Sequence, residues 1–483
     1  MAHIRQPHTG WLLVALLGGV FMGNVDVAIV NVAIPSIHAN LHASGGVLEL
    51  IVSGYTLAYA MLMITSARLG DMRGYRRVFL LGLGLFTPTS LACGLAPNAL
   101  ILVVARIIQG VGAALMISQV LTGIQLNFEG AARGRALGLY TVVLSGSAVI
   151  GQILGGVLIS ANIFGTTWCP IFLINVPIGA LLLVMAGRFL PADQQKRPQQ
   201  LDLGGVAALS TALLLLVVPL ILGRDAGWAA WVWICLAASI PAFAVFIAVE
   251  RRLTARGGYP LLNLSILARP AIAWGLGSLG TAMSAYFGIL FVLALYLQQG
   301  LGRSPLYSGL ALVSWVAAFG VAGPVLGRLS ERSRSVAAPI GSLILAVGFA
   351  GIGISLFAAT INGALLMTLL GVGGLGLGIG FSGMVTHLTG AVTDRYAPDM
   401  SGLINTISRI GGVIGVAIFG TAYLGLVPDP GRSAAIHGFA IVAIALAITA
   451  LIAAITAYLA IRRQADPAQA AAHVDSAAAE AED

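Results

Sequence analysis

The chain has 483 residues, of which 58% are hydrophobic and only 9% are charged, and its formal net charge is +8. A soluble globular protein carries about a quarter charged residues, so this composition excludes a protein built mainly of soluble domains and indicates an integral membrane protein. The three cysteines are isolated from one another, which predicts neither a disulfide framework nor a zinc site.

Fourteen apolar runs predict membrane-spanning helices. A span needs about 20 mostly apolar residues, and these runs are continuous, without the two-residue alternation of a membrane β-barrel. In chain order they lie near residues 11–34, 47–67, 78–97, 99–124, 137–160, 171–190, 203–223, 229–250, 271–297, 307–327, 337–359, 364–388, 402–425 and 437–461. The predicted fold class is therefore an all-α membrane protein.

The basic residues predict the orientation of these spans. An even number of spans puts both termini on one side, and with the N-terminus inside, 20 of the 25 lysines and arginines fall in inner loops and 3 in outer loops. This bias follows the positive-inside rule, so both termini are expected to face the cytoplasm. The positive net charge therefore reports topology and does not predict nucleic-acid binding.

The segment between the second and third spans reads ARLGDMRGYRR, residues 67–77. Its glycines are expected to let the chain turn sharply, its acid to bond the next helix or an arginine, and its arginines to hold the inner membrane surface. A generic basic loop would explain the charge but not the order of these residues. The ordered residues of this conformational-switch segment are Gly70, Asp71, Arg73, Gly74, Arg76 and Arg77.

This order, G-D-x-x-G-x-R-R, is similar to the signature of the major facilitator superfamily at the same position. A weaker copy, GRLSERSR at 327–334, follows the tenth span, where a duplicated second half would repeat it. The resemblance implies two six-helix bundles with two extra central helices. The implied units are 1–190 (first bundle), 191–202 (cytoplasmic loop), 203–250 (two inserted helices), 251–461 (second bundle with its leading loop) and 462–483 (a cytoplasmic tail, expected to be disordered).

Fourteen spans narrow the resemblance to the drug:proton antiporter branch of EmrB/QacA type. Five segments carry it, namely NVDVAIVNVAIP at 24–35, VARIIQGVGAALM at 104–116, IFLINVPIG at 171–179, LDLGG at 201–205 and GLINTISRIGGVIGVA at 402–417. The resemblance implies proton-coupled export of small amphipathic compounds across the cytoplasmic membrane, without a cofactor and with an envelope-spanning adaptor as a possible partner. A dedicated exporter or proton symporter of one metabolite is the alternative.

The fifth span departs from that branch. It reads GSAVIGQILGG, residues 146–156, with Gln152 in the place of a proline. The amide of Gln152 is expected to line the pathway or to bond a neighbouring helix. The glycines of this motif, Gly151, Gly155 and Gly156, are expected to allow close helix–helix contact.

Asp26 is the only acid in the first apolar run, where a charge is costly. Small residues on its helical stripe predict that Asp26 faces the bundle rather than lipid. Burial disfavours a carboxylate and a nearby arginine favours it, so a balanced group can bind and release a proton. We expect Asp26 to carry the coupled proton near Arg106, with Glu49 as the next candidate. The alternative is that Asp26 only caps a kink or bonds a neighbouring helix.

Arg409 is the second arginine inside a span, and it is expected either to act like Arg106 or to bond carbonyls between packed helices. Polar and aromatic side chains expected to line a substrate cavity are Asn24, Asn31, Tyr55, Gln109, Tyr140, Asn175, Tyr286 and Gln298. His38 and His42 lie four apart in a predicted outer loop, but without a third ligand they predict no metal site.

Energy supply and enzymatic activity are constrained by what the sequence lacks. Lys196 is the only lysine, so the phosphate-binding pattern G-x-x-x-x-G-K-[ST] is absent and an ion gradient is expected to drive transport. A membrane-embedded enzyme would need clustered His, Asp or Cys residues at one depth, and no such cluster is present, so the sequence predicts a transporter.

Overall fold

The structure is a computed structural model that describes residues 9–191, 202–256, 258, 267–327, 336–392, 397–427 and 431–464. These ranges contain fourteen helices long and apolar enough to cross a membrane and no strand, so the predicted all-α class is confirmed. They are α1 (Thr9–Leu41), α2 (Gly45–Arg73), α3 (Tyr75–Gly94), α4 (Ala99–Asn127), α5 (Gly130–Ala161), α6 (Pro170–Phe189), α7 (Leu203–Leu222), α8 (Ala230–Ala255), α9 (Pro270–Gly300), α10 (Pro305–Gly327), α11 (Ala337–Phe357), α12 (Gly363–Gly390), α13 (Ala397–Gly415, continued by Val416–Gly420 and Thr421–Leu426) and α14 (Arg432–Gln464).

Several helices begin at a side-chain cap, which satisfies one of the backbone N–H groups left free at a helix start. Asn98 accepts from the Ile101 amide at 2.9 Å at the start of α4. Asp202 accepts from the Gly205 amide at 2.7 Å before α7.

Helices α1 to α6 and helices α9 to α14 pack in the same pattern. The pairs α1–α5, α2–α4, α3–α4 and α3–α6 recur as α9–α13, α10–α12, α11–α12 and α11–α14. Small residues permit the closest crossings: a Cβ at Gly110 would overlap the Tyr55 carbonyl oxygen, and a Cβ at Gly374 would overlap the Trp315 carbonyl oxygen. We call α1–α6 the first half and α9–α14 the second half.

The halves meet through four main helix pairs, and α7 and α8 lie beside them. The cross-half pairs are α1–α9, α1–α10, α2–α13 and α5–α10. Helices α7 and α8 pack on each other, and α7 also packs on α2. The end of the molecule that carries residues 42–44 is the predicted outer end, and it is called the outer end below.

The segment 67–77 differs from the predicted loop. Residues up to Arg73 remain helical as the end of α2, and Gly74 alone makes the turn, with φ at +100°. Gly70 lies inside α2, where a Cβ would overlap the side-chain oxygen of Gln119 on α4. Gly70 therefore serves close packing and not the turn, because its backbone is helical.

The first helix is longer than predicted. It continues through Pro35 to Leu41, so His38 lies in its last turn and not in a loop. A transmembrane helix tolerates a proline where neighbouring groups satisfy the freed carbonyl. Most of the predicted 191–202 loop, the repeated motif beyond residue 327 and the tail beyond residue 464 lie outside the described residues.

Candidate functional site

Asp26 and Arg106 form a buried ion pair between α1 and α4. Asp26 is 0% exposed and Arg106 is 1% exposed. The Nη1 group of Arg106 donates to the Oδ2 atom of Asp26. The Nε group of Arg106 donates to the carbonyl oxygen of Ile51 on α2 at 3.1 Å, so one guanidinium joins three helices. The structure therefore contains the predicted pair of Asp26 and Arg106, and it lies within the first half.

Two amide side chains complete the surroundings of the Asp26 carboxylate. Gln109 donates from Nε2 to Asp26 Oδ1 at 3.0 Å and to Ser90 Oγ at 2.8 Å. Asn175, on α6, donates from Nδ2 to the same Asp26 oxygen at 2.9 Å. All of these contacts to the carboxylate come from donors, so the arrangement is complementary to ionised Asp26. Asp26, Ser90, Arg106, Gln109 and Asn175 are called the Asp26 cluster below.

Aromatic rings cover this cluster. The Cζ atom of Arg106 lies 4.3 Å from the centre of the Tyr55 ring and 5.6 Å from that of Phe172. The Tyr55 hydroxyl donates to the Gly23 carbonyl at 3.1 Å, which ties α2 to α1. Such cation–π contacts strengthen where water is excluded. The rings therefore hold the ion pair in an apolar enclosure.

Three residues predicted to line a substrate cavity lie in or against this enclosure instead. Gln109 and Asn175 are buried members of the Asp26 cluster, and Tyr55 is 1% exposed beneath Arg106. Asn24 and Asn31 donate to carbonyls one turn earlier in their own helix, each at 2.9 Å. Residue type alone did not reveal the direction of these side chains.

Glu49 is a second buried acid, and it lies at a separate site near the outer end. It is 1% exposed, and the hydroxyl of Thr421 on α13 lies 3.2 and 3.3 Å from its two carboxylate oxygens. The same hydroxyl lies 3.3 Å from the Leu220 carbonyl of α7. Helices from both halves and from the inserted pair therefore meet at Glu49. We call Glu49, Thr421 and Leu220 the outer junction.

Further contacts close the outer end between the halves. Gln298 on α9 donates to the Val32 carbonyl of α1 at 2.9 Å. His38 and Gln299 form a 3.0 Å side-chain hydrogen bond between the same helices. A Cβ at Gly156 of α5 would stand 2.9 Å from the Cα atom of Leu306 at the start of α10. The pairs α1–α9, α2–α13 and α5–α10 thus touch at this end.

The fifth-span motif lies in that closed contact. Gly151 and Gly155 of α5 pack on backbone atoms of α1. Gln152 is 0% exposed, and neither its amide nitrogen nor its amide oxygen has a hydrogen-bond partner among the described residues. Its backbone carbonyl contacts Gly309 of α10. The side chain therefore neither lines an open pathway nor bonds a neighbouring helix in this conformation.

Comparison with known proteins identifies the family. The sequence matches the Major Facilitator Superfamily profile over residues 16–416 and 276–479. The chain belongs to this superfamily. It is 35% identical over 423 residues to the probable actinorhodin transporter of Streptomyces coelicolor, covering 85% of this chain and 72% of the relative. It is 33% identical over 419 residues to the methylenomycin A resistance protein of the same organism, covering 86% of each chain.

Another relative and a solved structure agree with this assignment. The multidrug resistance protein Stp of Mycobacterium tuberculosis is 30% identical over 411 residues, covering 85% of this chain and 75% of the relative. A bacterial homologue of the human lysosomal transporter Spinster, crystallised inward-facing and unoccupied, superposes with a TM-score of 0.68 at 16% identity, covering 95% of this chain and 98% of that one. The latter likeness concerns the fold, which is that of a multi-pass membrane transporter.

In this major facilitator transporter the signature segment 67–77 joins helices at the predicted inner end. Arg76 donates to the Gly187 carbonyl near the end of α6 at 2.6 Å. Asp71 is half-buried in the last turn of α2. The exposed side chains of Arg73 and Arg77 lie on the same end, as a membrane-surface role requires.

Arg409 on α13 lies at the interface between the halves and is half-buried. Its Cζ atom stands 4.8 Å from the centre of the Tyr59 ring on α2. Tyr140 and Tyr286, which were predicted to line the cavity, are both half-buried. Tyr59 carried no motif that marked it.

Proposed function

We propose that this transporter exports small amphipathic organic compounds across the cytoplasmic membrane in exchange for protons, with both termini in the cytoplasm. The printed names of its relatives, which are an antibiotic transporter and resistance proteins, support export of drug-like compounds. The observation that carries proton coupling is the Asp26 cluster, a fully enclosed acid held by one arginine and two amides.

Protonation of Asp26 is the proposed coupling event. A neutral carboxyl no longer forms the ion pair, and it presents a hydrogen toward groups that are themselves donors. Breaking a buried ion pair by removing one charge costs about 3–5 kcal/mol. Moving a two-state equilibrium from 1:99 to 99:1 takes about 5.5 kcal/mol. A single proton at Asp26 therefore supplies most of the free energy needed to change the favoured conformation.

The position of the cluster determines what moves. Arg106 holds α4 to α1 through Asp26 and to α2 through the Ile51 carbonyl. Helices α1 and α2 are also the helices through which the first half contacts α9 and α13. Loss of the ion pair changes the packing of α1 and α2, and this rearrangement is transmitted to the contact between the halves. Substrate release on one side and proton release on the other complete the exchange.

Glu49 is the second proposed proton site. It lies where α2 of the first half meets α13 of the second, and its oxygens accept from Thr421. An outer proton reaches this junction before it reaches Asp26, because Glu49 lies about one turn into α2 from the outer end, whereas Asp26 lies near the middle of α1. Protonation of Glu49 is expected to weaken the α2–α13 contact and to favour opening of the outer end.

Inverted membrane vesicles test the proposed direction and energy source together. A host that lacks its own efflux pumps is first screened with a panel of antibiotics and dyes to find a compound whose toxicity the gene relieves. Vesicles turned inside out should then accumulate that compound when the interior is acidified. Collapse of the pH gradient with a protonophore should abolish accumulation. Accumulation that persists without any ion gradient, or that requires an alkaline interior, contradicts the proposal.

A further inference from the structure

Arg409 is a cation inside a span without a carboxylate partner among the described residues. It lies 12 residues before Thr421 on α13, which places it about 18 Å from the outer junction. Its nearest partner is the Tyr59 ring at 4.8 Å, and a cation–π contact offsets only part of the cost of an ion in a bilayer. Arg106, the other arginine within a span, by contrast forms an ion pair with Asp26.

The other acids within the spans do not compensate Arg409. Asp26 is engaged by Arg106 and two amides. Glu49 lies ten residues from Tyr59 along α2, about 15 Å away, and bonds Thr421. The interface between the halves therefore carries a positive charge at mid-depth, in a medium where water screens it weakly.

A wall of aromatic rings lies about one helical turn from this charge, because the Phe287 ring contacts Gly412, three residues after Arg409, and lies 5.0 Å from the Tyr286 ring. The Tyr286 ring lies 5.4 Å from that of Phe319 and is stacked 6.2 Å from that of Trp315, and Phe319 lies 5.9 Å from Phe381. Tyr286, Phe319 and Phe381 are only half-buried, although all three are aromatic. Flat rings arranged in this way favour a ligand with a flat apolar body.

The polar groups beside the wall are donors. The indole Nε1 of Trp315 is buried and has no hydrogen-bond partner among the described residues. An indole N–H and a guanidinium can only donate, so both require an acceptor. A buried donor without an acceptor is costly. A bound ligand that carries carboxylate or phenolate oxygens would neutralise the charge of Arg409.

The site also spans the two halves, as a transported ligand requires. Tyr59 belongs to the first half, whereas Tyr286 and Arg409 belong to the second. One turn toward the outer end, residues of α2, α9 and α13, among them Thr56, line a gap between the halves that is too narrow to hold a water molecule. Ligand pockets usually measure about 300–1,000 Å³, so binding requires the halves to separate.

We propose that the transporter recognises planar aromatic acids, with Arg409 binding the anionic oxygens and the Tyr286 wall stacking on the rings. The physiological meaning of this inference rests on the proposed export function. The binding chemistry itself depends neither on proton coupling nor on the direction of transport. Recognition of an anion distinguishes this site from a cation-binding site, which would place a carboxylate where Arg409 stands.

Three fluorescent probes with one ring system test the proposal on the purified full-length chain in detergent. They are anthracene-2-carboxylate, its neutral methyl ester and the cationic anthracen-2-ylmethylammonium. The wild-type chain should bind the carboxylate at least tenfold more tightly than the other two. Equal affinities, a preference for the ammonium, or no binding of the carboxylate would overturn the proposal without any substitution.

Variants then locate the site. Arg409→Gln should remove the preference for the carboxylate and leave the affinity for the ester unchanged, while Arg409→Lys should retain most of the preference. Phe319→Leu should lower the affinity for all three probes by a similar factor. The matched control is Arg303→Gln, because Arg303 also lies over a ring, that of Tyr307 at 5.3 Å, but is exposed outside the spans.

The outcomes separate this proposal from the proposed function. A carboxylate preference that survives Arg409→Gln overturns the site, whatever the vesicle assay gives. If the chain binds the carboxylate probe selectively and yet accumulates no compound in vesicles, that result would support the proposed site and contradict the proposed export. If Arg409→Gln does not fold, the affinities of the wild type and of Arg409→Lys for the three probes still test whether the site prefers the carboxylate.

Discussion

Gln152 and Gln109 should respond oppositely to the same substitution, although both side chains are 0% exposed. Gln152 has two amide atoms without partners, whereas Gln109 bonds Asp26, Arg106 and Ser90. A buried polar group without a partner costs about 1–3 kcal/mol, and an apolar side chain of similar shape removes that cost. Gln152→Leu should therefore stabilise this conformation by about 1–2 kcal/mol.

Gln109→Leu should destabilise it instead. Hydrogen bonds to charged groups contribute about 1.5–3 kcal/mol each, and this substitution removes bonds to both members of the ion pair. We expect a loss of about 2–5 kcal/mol, so the two leucine variants should differ by several kcal/mol.

The assay is thermal unfolding of the purified variants in one detergent, followed by intrinsic tryptophan fluorescence. The expected order of Tm is Gln152→Leu above wild type and wild type above Gln109→Leu. Transport by Gln152→Leu should fall although its stability rises, because the Gln152 contact belongs to the closed outer end. A Tm for Gln152→Leu as low as that of Gln109→Leu would refute the reasoning, since it would mean that the Gln152 amide has partners.

Three other predictions concern orientation and switching. In a cysteine-free background, an impermeant thiol reagent added to intact cells should label Thr360→Cys but not Glu129→Cys; the reverse pattern would invert the topology. Asp71→Asn should reduce transport far more than membrane abundance, because a charge-assisted bond of about 1.5–3 kcal/mol can shift a balanced equilibrium tenfold or more; a parallel loss on an immunoblot would indicate a folding role. Glu49→Gln should keep the contact with Thr421 yet flatten the pH dependence of transport, and an unchanged pH profile would remove Glu49 from the proton path.

The spans and the ion pair could be predicted because strong physical constraints act on them. Hydrophobic length determines a span, and the fourteen predicted spans agree with the fourteen helices apart from their ends. A lone acid and an arginine deep within two spans need each other, so the expected pairing of Asp26 with Arg106 is what the structure contains. The predicted division into domains and the roles of the site residues stay predictions.

The residues that form the site were harder to predict, because the type of a residue does not show which way its side chain points. Gln109, Asn175 and Tyr55 suit a cavity wall by composition, but their depth and helical phase point them at the Asp26–Arg106 ion pair. Ser90 and Thr421 carried no recognisable pattern, since hydroxyl side chains in helices usually bond their own backbone.

Helix ends were equally hard to predict, because tertiary contacts override local rules. Pro35 does not end α1, and Gly70 does not turn α2. Neighbouring helices decide both: a membrane helix can run through proline, and Gly70 is required by the approach of Gln119. The turn itself depends on Gly74, whose φ of +100° is a conformation that favours glycine.

The coupling role of Asp26 is tested most directly by proton flux in proteoliposomes. Wild type, Asp26→Asn and the control Glu129→Gln are reconstituted at equal density with a pH-sensitive dye inside and a substrate gradient across the membrane. Glu129 is a suitable control because it is exposed and its side chain makes no helix-cap hydrogen bond. We predict that substrate movement drives proton flux in the wild type and in Glu129→Gln, and that Asp26→Asn loses this flux while it still exchanges substrate passively. Proton flux at the wild-type ratio in Asp26→Asn would contradict the account and assign the coupled proton elsewhere, with Glu49 as the next acid to examine.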